Sequence, residues 1–244
     1  MHPTTYPLEV WGDFACFTRP ETKSERFSYP VITPSAARGV FDAIFAKPPV
    51  FRWEITRIEV LEQPAYIALR RNEVKEKVNV STVTSWRTGK KEPEPLWADG
   101  DRELTRSDEK GRTQRQTLAL KGPRYRLHAR IRPWPGHEGK QVALERQFER
   151  RARQGKCFHQ PYLGCREFPA YFELANPESP ASEPVGTLDL DVGPMIYDVF
   201  DLSRPGTADD GPAISLFHAR VQGGVLEVPA WEDPAVLKVP KEVS

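Results

Sequence analysis

Cysteine is scarce in this chain. The three in 244 residues (Cys16, Cys157 and Cys165) are too few for a disulfide framework, and no CxxC or Cys/His pair has zinc-finger spacing. A reducing cytoplasm suits such a chain best, with no metal and no cofactor. Long apolar runs are also missing. None approaches the roughly 18 residues of a membrane span, and residues 1–20 lack the basic-then-apolar pattern of a secretion signal. There is no GxxxxGK[ST], no GxGxxG after a strand, no HExxH and no GxSxG, so the chemistries that those motifs carry have no foothold. Asp209-Asp210 lies among loop residues and reads as solvated rather than metal-binding. Proline is abundant: 24 residues, roughly twice the average share of about 5%, which excludes helical bundles and coiled coils. With 39% hydrophobic residues a packed core is expected.

The net charge of +1 conceals a strong asymmetry. Residues 1–101 carry 14 basic and 14 acidic side chains; residues 102–166 carry 17 and 6; residues 167–244 carry 4 and 14. A middle segment of net +11 points to a polyanion such as RNA or DNA. The alternative is internal: the acidic tail packs on the basic segment and neutralises it.

Apolar periodicity outlines the elements. Residues 8–17 (LEVWGDFACF) alternate as a strand, and Thr33-Pro34-Ser35 opens a helix to about Phe45 that Pro48-Pro49 ends. In 51–61 (FRWEITRIEVL) the alternation slips phase between Ile55 and Ile58, which predicts a β-bulge near Thr56-Arg57. Residues 75–121 are polar and punctuated by Gly and Pro, an inserted excursion. Residues 124–132 (RYRLHARIR) alternate cleanly, with Tyr125, Leu127, Ala129 and Ile131 on one face and five basic-capable side chains on the other. Residues 138–154 form a helix with Leu144, Phe148 and Ala152 as its apolar stripe, and 168–174 alternate again. The order is βαββαβ, giving an α+β chain with a ferredoxin-like (RRM-like) domain over 1–175 that carries a polar hairpin or loop insertion at 75–121. Residues 176–244 follow as a small acidic domain of antiparallel strands, with a hairpin turn at Gly223-Gly224.

Arginine forks suit phosphates, so the strand 124–132, the helix arginines Arg146, Arg150 and Arg153, and Arg70-Arg71 are the candidate backbone contacts. Tyr125, Trp134 and Tyr162 could stack unpaired bases, although such a ring is individually more often core than platform. His137 stands at the start of the second helix, three residues before Lys140, where a helix N-terminus favours anions and a lysine could stabilise charge building on a phosphate. The bland reading of His137 is an exposed loop histidine.

Three segments together carry a family likeness: LEVWGDFACFTRPETKSERFSYPVITPSAARGVFDAIFAKP from residue 8, RRNEV at 70–74, and GKQ…RRARQGKCFHQPYLGCREFPAYFE from residue 139. Their order and the WGDxAxFTRP and GCREFPA runs resemble the type I-C CRISPR-associated Cas5 family, within the RAMP superfamily. The resemblance implies metal-independent cleavage of the precursor RNA at the base of the repeat hairpin. The ribose 2′-OH attacks the adjacent phosphate, leaving a 2′,3′-cyclic phosphate and a 5′-OH. It further implies retention on the 5′ handle of the crRNA within the Cascade surveillance complex of antiviral defence. Partners would be the Cas7 backbone and the Cas8 large subunit, with target DNA met through the complex and no membrane. RNA contacts are assigned to Arg19, Lys23, Arg26, Arg38, Arg70, Arg71, Arg124, Arg126, His128, Arg130, Arg146, Arg150, Arg153 and Arg166.

The family's catalytic tyrosine falls on Phe45, and its Lys-His pair on Lys140-Gln141. Phenylalanine has no hydroxyl and glutamine exchanges no proton near pH 7, so only the lysine persists. Either His137 supplies the imidazole, or cutting is slow or absent. The two readings are an endoribonuclease and a non-catalytic cap on the 5′ handle. A third, a DNA-binding module unrelated to CRISPR, would bind DNA and RNA hairpins alike.

Overall fold

The computed structural model describes residues 4–22, 24–96, 98, 103, 106, 110–175, 182–207 and 209–238. Two compact units share the chain: Ala68–Thr117, and Met1–Ile67 with Leu118–Ser244.

The larger unit is built on a seven-stranded antiparallel sheet of mixed origin. In chain order its strands are β1 (Thr5–Trp11), β4 (Phe51–Val60), β7 (Arg124–Pro133), β8 (Tyr171–Leu174), β9 (Leu190–Asp198), β10 (Ser215–Gln222) and β11 (Val225–Glu227). In space they run β8-β1-β7-β4-β11-β10-β9, so the acidic C-terminal strands continue the sheet through the pairing of β11 with β4. Helices α1 (Pro34–Ile44) and α3 (Gln141–Arg153) join β1 to β4 and β7 to β8, giving the expected α+β order with further short strands interposed. Those are β2 (Phe14–Ala15) and β3 (Arg26–Phe27), which flank β6 (Arg112–Lys121) in a second sheet; β5 (Tyr66–Val74) also pairs with β6.

Sequence patterns account for the helices. Thr33 caps α1 with its hydroxyl accepting from the Ala36 amide, and Pro34 sits in the first turn, where its missing N–H costs nothing. Ala37, Val40, Phe41 and Ile44 are buried on the sheet side. Leu144, Phe148 and Ala152 of α3 are buried as the spacing requires, and Phe148 packs against Phe41 and Trp53. The expected single strand over 8–17 is broken after Trp11. A Cβ on Gly12 would lie 2.7 Å from the Pro169 carbonyl oxygen, and the chain turns there into β2 and the second sheet. The hairpin from β10 to β11 uses Gly223 and Gly224 at φ of 56° and 76°, where side chains are strained.

The bulge predicted near Thr56-Arg57 is present as a register shift between Ile55 and Arg57. In an unbroken strand, residues five apart face opposite sides. The extra residue returns Glu59 to the face of Glu54, while Trp53, Ile55, Ile58 and Val60 all stay buried.

The smaller unit begins seven residues before the expected excursion and ends four before its close; it holds most of β5 and β6 and a helix α2 (Val80–Arg87) capped by Asn79. No residue of α2 is buried.

Candidate nucleic-acid interface

The basic face of β7 lies against carboxylates. Arg126 stands directly opposite Glu9 on β1 and Glu59 on β4, and its guanidinium donates to both at 2.7 Å and to the Ser182 carbonyl at 2.8 Å. Arg124 donates to Glu9 at 2.8 Å, His128 Nε2 lies 3.0 Å from Glu59, and Arg130 bonds Glu54. Glu54, Glu59 and Arg126 are all buried. The strand that looked most like a phosphate surface thus pairs its cations with anions from β1 and β4, not from the acidic tail; Arg126 is buried in that lattice, while Arg124, Arg130 and Arg132 stay partly exposed. Burial works to raise the Glu9 carboxyl, but hydrogen bonds from Arg124 and Arg126 prevail and hold it below the usual carboxylate range. Burial pushes the His128 imidazole below the usual histidine value, against the pull of Glu59. The unfolded chain therefore takes up a proton near pH ~6.5 that the folded chain resists. Stability is expected to fall as pH drops through about 6.5, read as a lower melting temperature; His128→Asn should flatten that slope.

The acidic tail neutralises other arginines. Arg38 is clamped by Asp198 at 2.6 and 3.0 Å and by Asp42 at 2.5 Å; Arg52 bonds the Leu202 carbonyl and meets Glu232 at 2.9 Å. Among the other assigned contacts, Arg19 lies 4.5 Å from the Tyr29 ring centroid, and Arg26 bonds Cys165 Sγ at 3.3 Å and Glu167 at 3.0 Å. Arg153 pairs with Glu149 at 2.9 Å. In the smaller unit Arg70 is exposed, and Arg71 meets Glu73 at 3.3 Å. Lys23 lies outside the described residues. Arg146, Arg150 and Arg166 are exposed and, like Arg70, have no carboxylate partner among the described residues, which leaves their guanidinium groups accessible. Arg146→Ala and Arg150→Ala should each weaken RNA binding and reduce the slope of log K against log salt by about 0.7–0.9, without lowering the melting temperature. A titration series across KCl concentrations checks this.

Beyond β7 the chain makes a tight turn. The Trp134 indole donates to the Pro48 carbonyl at 2.7 Å, its amide donates to Val50, and the His137 amide donates back to the Trp134 carbonyl at 2.9 Å. A 3-10 turn, Glu138–Lys140, then leads into α3. Here Lys140 Nζ lies 3.2 Å from His137 Nδ1, with Lys140 exposed and His137 half-exposed. An ammonium has only donors, so Nδ1 accepts and a neutral His137 carries its proton on Nε2.

The other two candidate catalytic residues are not brought to this corner as reactive groups. Phe45 is fully buried, its ring stacked on Phe51 and its carbonyl accepting from the Trp53 indole at 2.8 Å. Gln141 is turned back, donating to the Ile131 carbonyl at 3.3 Å and to Glu145. Of the proposed stacking rings, Tyr125 is core, while Trp134 and Tyr162 are half-exposed. Sequence periodicity gives no sign of Phe200, a half-exposed ring that lines a cleft together with Trp134, because an isolated aromatic in a Pro/Gly-rich region carries no periodic signal. Among the described residues no group of three or more His, Cys, Asp or Glu could hold a metal ion, and no helix is long and apolar enough to cross a membrane.

The chain is a CRISPR-associated protein: the family model Cas_Cas5d, described as CRISPR-associated protein (Cas_Cas5), matches residues 5–229. The chain belongs to that family, in its type I-C form. It is 41% identical over 235 residues to the CRISPR pre-crRNA endoribonuclease Cas5d of Thermus thermophilus, covering 91% of this chain and 90% of that one. It is 37% identical over 231 residues to the protein of the same name from Mannheimia succiniciproducens, covering 92% and 94%. A crystal structure of a CRISPR-associated protein superposes with a TM-score of 0.62 at 19% identity, over 97% of this chain and 99% of that one, a likeness of fold.

Proposed function

We propose that this chain is a pre-crRNA endoribonuclease whose working pair is Lys140 and His137. The observation that carries the reading is the 3.2 Å contact between Lys140 Nζ and His137 Nδ1 on an accessible turn at the head of α3. The name shared by the two relatives supports the substrate class. Lys140 has further donors for a phosphate oxygen as charge builds on it. When the phosphate draws the ammonium away, His137 Nδ1 is free to take the proton of the ribose 2′-OH. The 2′ oxygen then attacks phosphorus, the bond to the 5′ oxygen breaks, and that oxygen leaves with a proton from water. Products are a 2′,3′-cyclic phosphate and a 5′-OH, with no metal in the step. After cutting, the protein would hold the 5′ handle in the cytoplasm beside the Cas7 and Cas8 subunits of Cascade. Region 1–175 would supply the active corner and region 176–244 the acidic clamps on Arg38 and Arg52.

A second reading, a cap that binds without cutting, draws on the burial of Phe45 and the tethering of Gln141. The test is cognate repeat RNA in excess EDTA, with and without a 2′-deoxy at the scissile nucleotide. Cutting of the ribose substrate alone is expected. Tight binding with both RNAs left whole would favour the cap.

A further inference from the structure

The turn that presents His137 also forms one wall of a cleft of about 670 Å³, within the range of small-ligand sites. Trp134 and Phe200 line it. Its arginines are already matched: Arg38 with Asp42 and Asp198, Arg52 with Glu232, and Arg204 with Asp210 at 2.8 and 3.1 Å. A second phosphate would find no uncommitted arginine there. A flat, neutral ring would find two aromatic surfaces, with the Arg52 guanidinium 5.6 Å from the Trp134 centroid and that of Arg38 5.5 Å from Phe200. Asp42 uses Oδ2 for Arg38, while Oδ1 accepts no bond among the described residues and can take a hydrogen from an amino group.

We propose that this cleft receives one unpaired nucleobase of the bound RNA, flanking the scissile phosphate and stacked between Trp134 and Phe200, with preference for a base whose amino group reaches Asp42. The inference rests on the endoribonuclease reading and adds to it the subsite that sets register. The Trp134 carbonyl holds the His137 amide at 2.9 Å, so a base seated on Trp134 places its neighbouring phosphate beside His137 and Lys140. Stacking platforms of this kind are sequence-tolerant, and the hydrogen bond to the base edge adds the selectivity.

The test uses the full chain and repeat RNA blocked by a 2′-deoxy at the cut. Each unpaired nucleotide within three of that position is made abasic in turn, or replaced by 2-aminopurine. One position should respond: loss of its base should weaken binding by about 5–100-fold, the range expected for one base–aromatic stack. At that position 2-aminopurine fluorescence should be quenched by wild type and restored by Phe200→Ala. Phe200 is exposed, so this variant leaves the core intact. Trp134→Ala should match it, and each variant should lose little further affinity for the abasic RNA, because ring and base are one interaction. An adenine-to-uracil change there should cost affinity in wild type and not in Asp42→Asn. Tight binding and cutting with no position coupled to Phe200 or Trp134 would overturn the base site and leave the nuclease reading standing. Impaired assembly with other subunits, with RNA binding by the isolated chain unchanged, would overturn it in favour of a protein side chain as occupant. Failure of wild type to bind any repeat RNA would overturn both.

Discussion

Lys140→Ala is expected to slow cleavage of the repeat RNA by about 10²–10³, with Kd for a 2′-deoxy-blocked RNA moving by less than about tenfold. The asymmetry follows from what the ammonium does. It gains most when the attacked phosphate carries extra charge, so its loss falls on the chemical step rather than on binding. His137→Ala should lose about 10²–10⁴ by removing the proton acceptor. If the two act as a unit, the double variant should be little slower than the worse single one. Neither change should lower the melting temperature appreciably, since both side chains are accessible and touch mainly each other. Single-turnover rates, binding by filter retention and thermal melts of the same preparations check the set. Gln141→His in the His137→Ala background should restore little, because position 141 is directed at the Ile131 carbonyl and Glu145. Equal cutting by wild type and Lys140→Ala would remove this corner from the chemistry.

Periodicity made most of the frame legible. The Thr33-Pro34 start of α1, the stripe on α3 and the bulge at Thr56-Arg57 all follow from local rules, because each involves residues within one or two turns or a few strand positions. The proximity of His137 and Lys140 was readable for the same reason: they are three residues apart at a helix start. What could not be read is long-range. The five basic-capable residues of β7 look like an unpartnered surface because their anions are distant in sequence: Glu59 and Glu9 lie 67 and 117 residues from Arg126, Glu54 lies 76 from Arg130, and strand register alone brings them together. The slip at Thr56 was inferred from the apolar face alone, yet the same slip sets two glutamates on the polar face. Phe45 was placed by position in the chain, whereas its burial depends on Phe51 and Trp53 across α1 and β4.

That lattice gives the sharpest stability prediction. Arg126→Ala leaves Glu9 and Glu59 on either side of β7, with Glu59 almost fully buried, a neutral His128 beside it at pH 7, and the partly exposed Arg57 and Arg124 as the paired cations among the described residues. Removing one partner of a buried ion pair costs about 3–5 kcal/mol, because the stranded carboxylates remain desolvated. For a chain whose margin is of order 5–15 kcal/mol, that is a large share of the total. Arg126→Ala should therefore lower the urea midpoint markedly at pH 7, with the loss shrinking as pH falls and the carboxylates protonate. Arg126→Ala with Glu9→Ala and Glu59→Ala should recover much of it, since no buried charge is then left alone. At a temperature where the single variant stays folded, its affinity for repeat RNA should change by less than about threefold, as a buried side chain whose charge is already matched by two carboxylates has little to offer a phosphate. The opposite pattern, undiminished stability with a tenfold or greater loss of RNA binding, would show that Arg126 serves the RNA and that its glutamates are only a resting place.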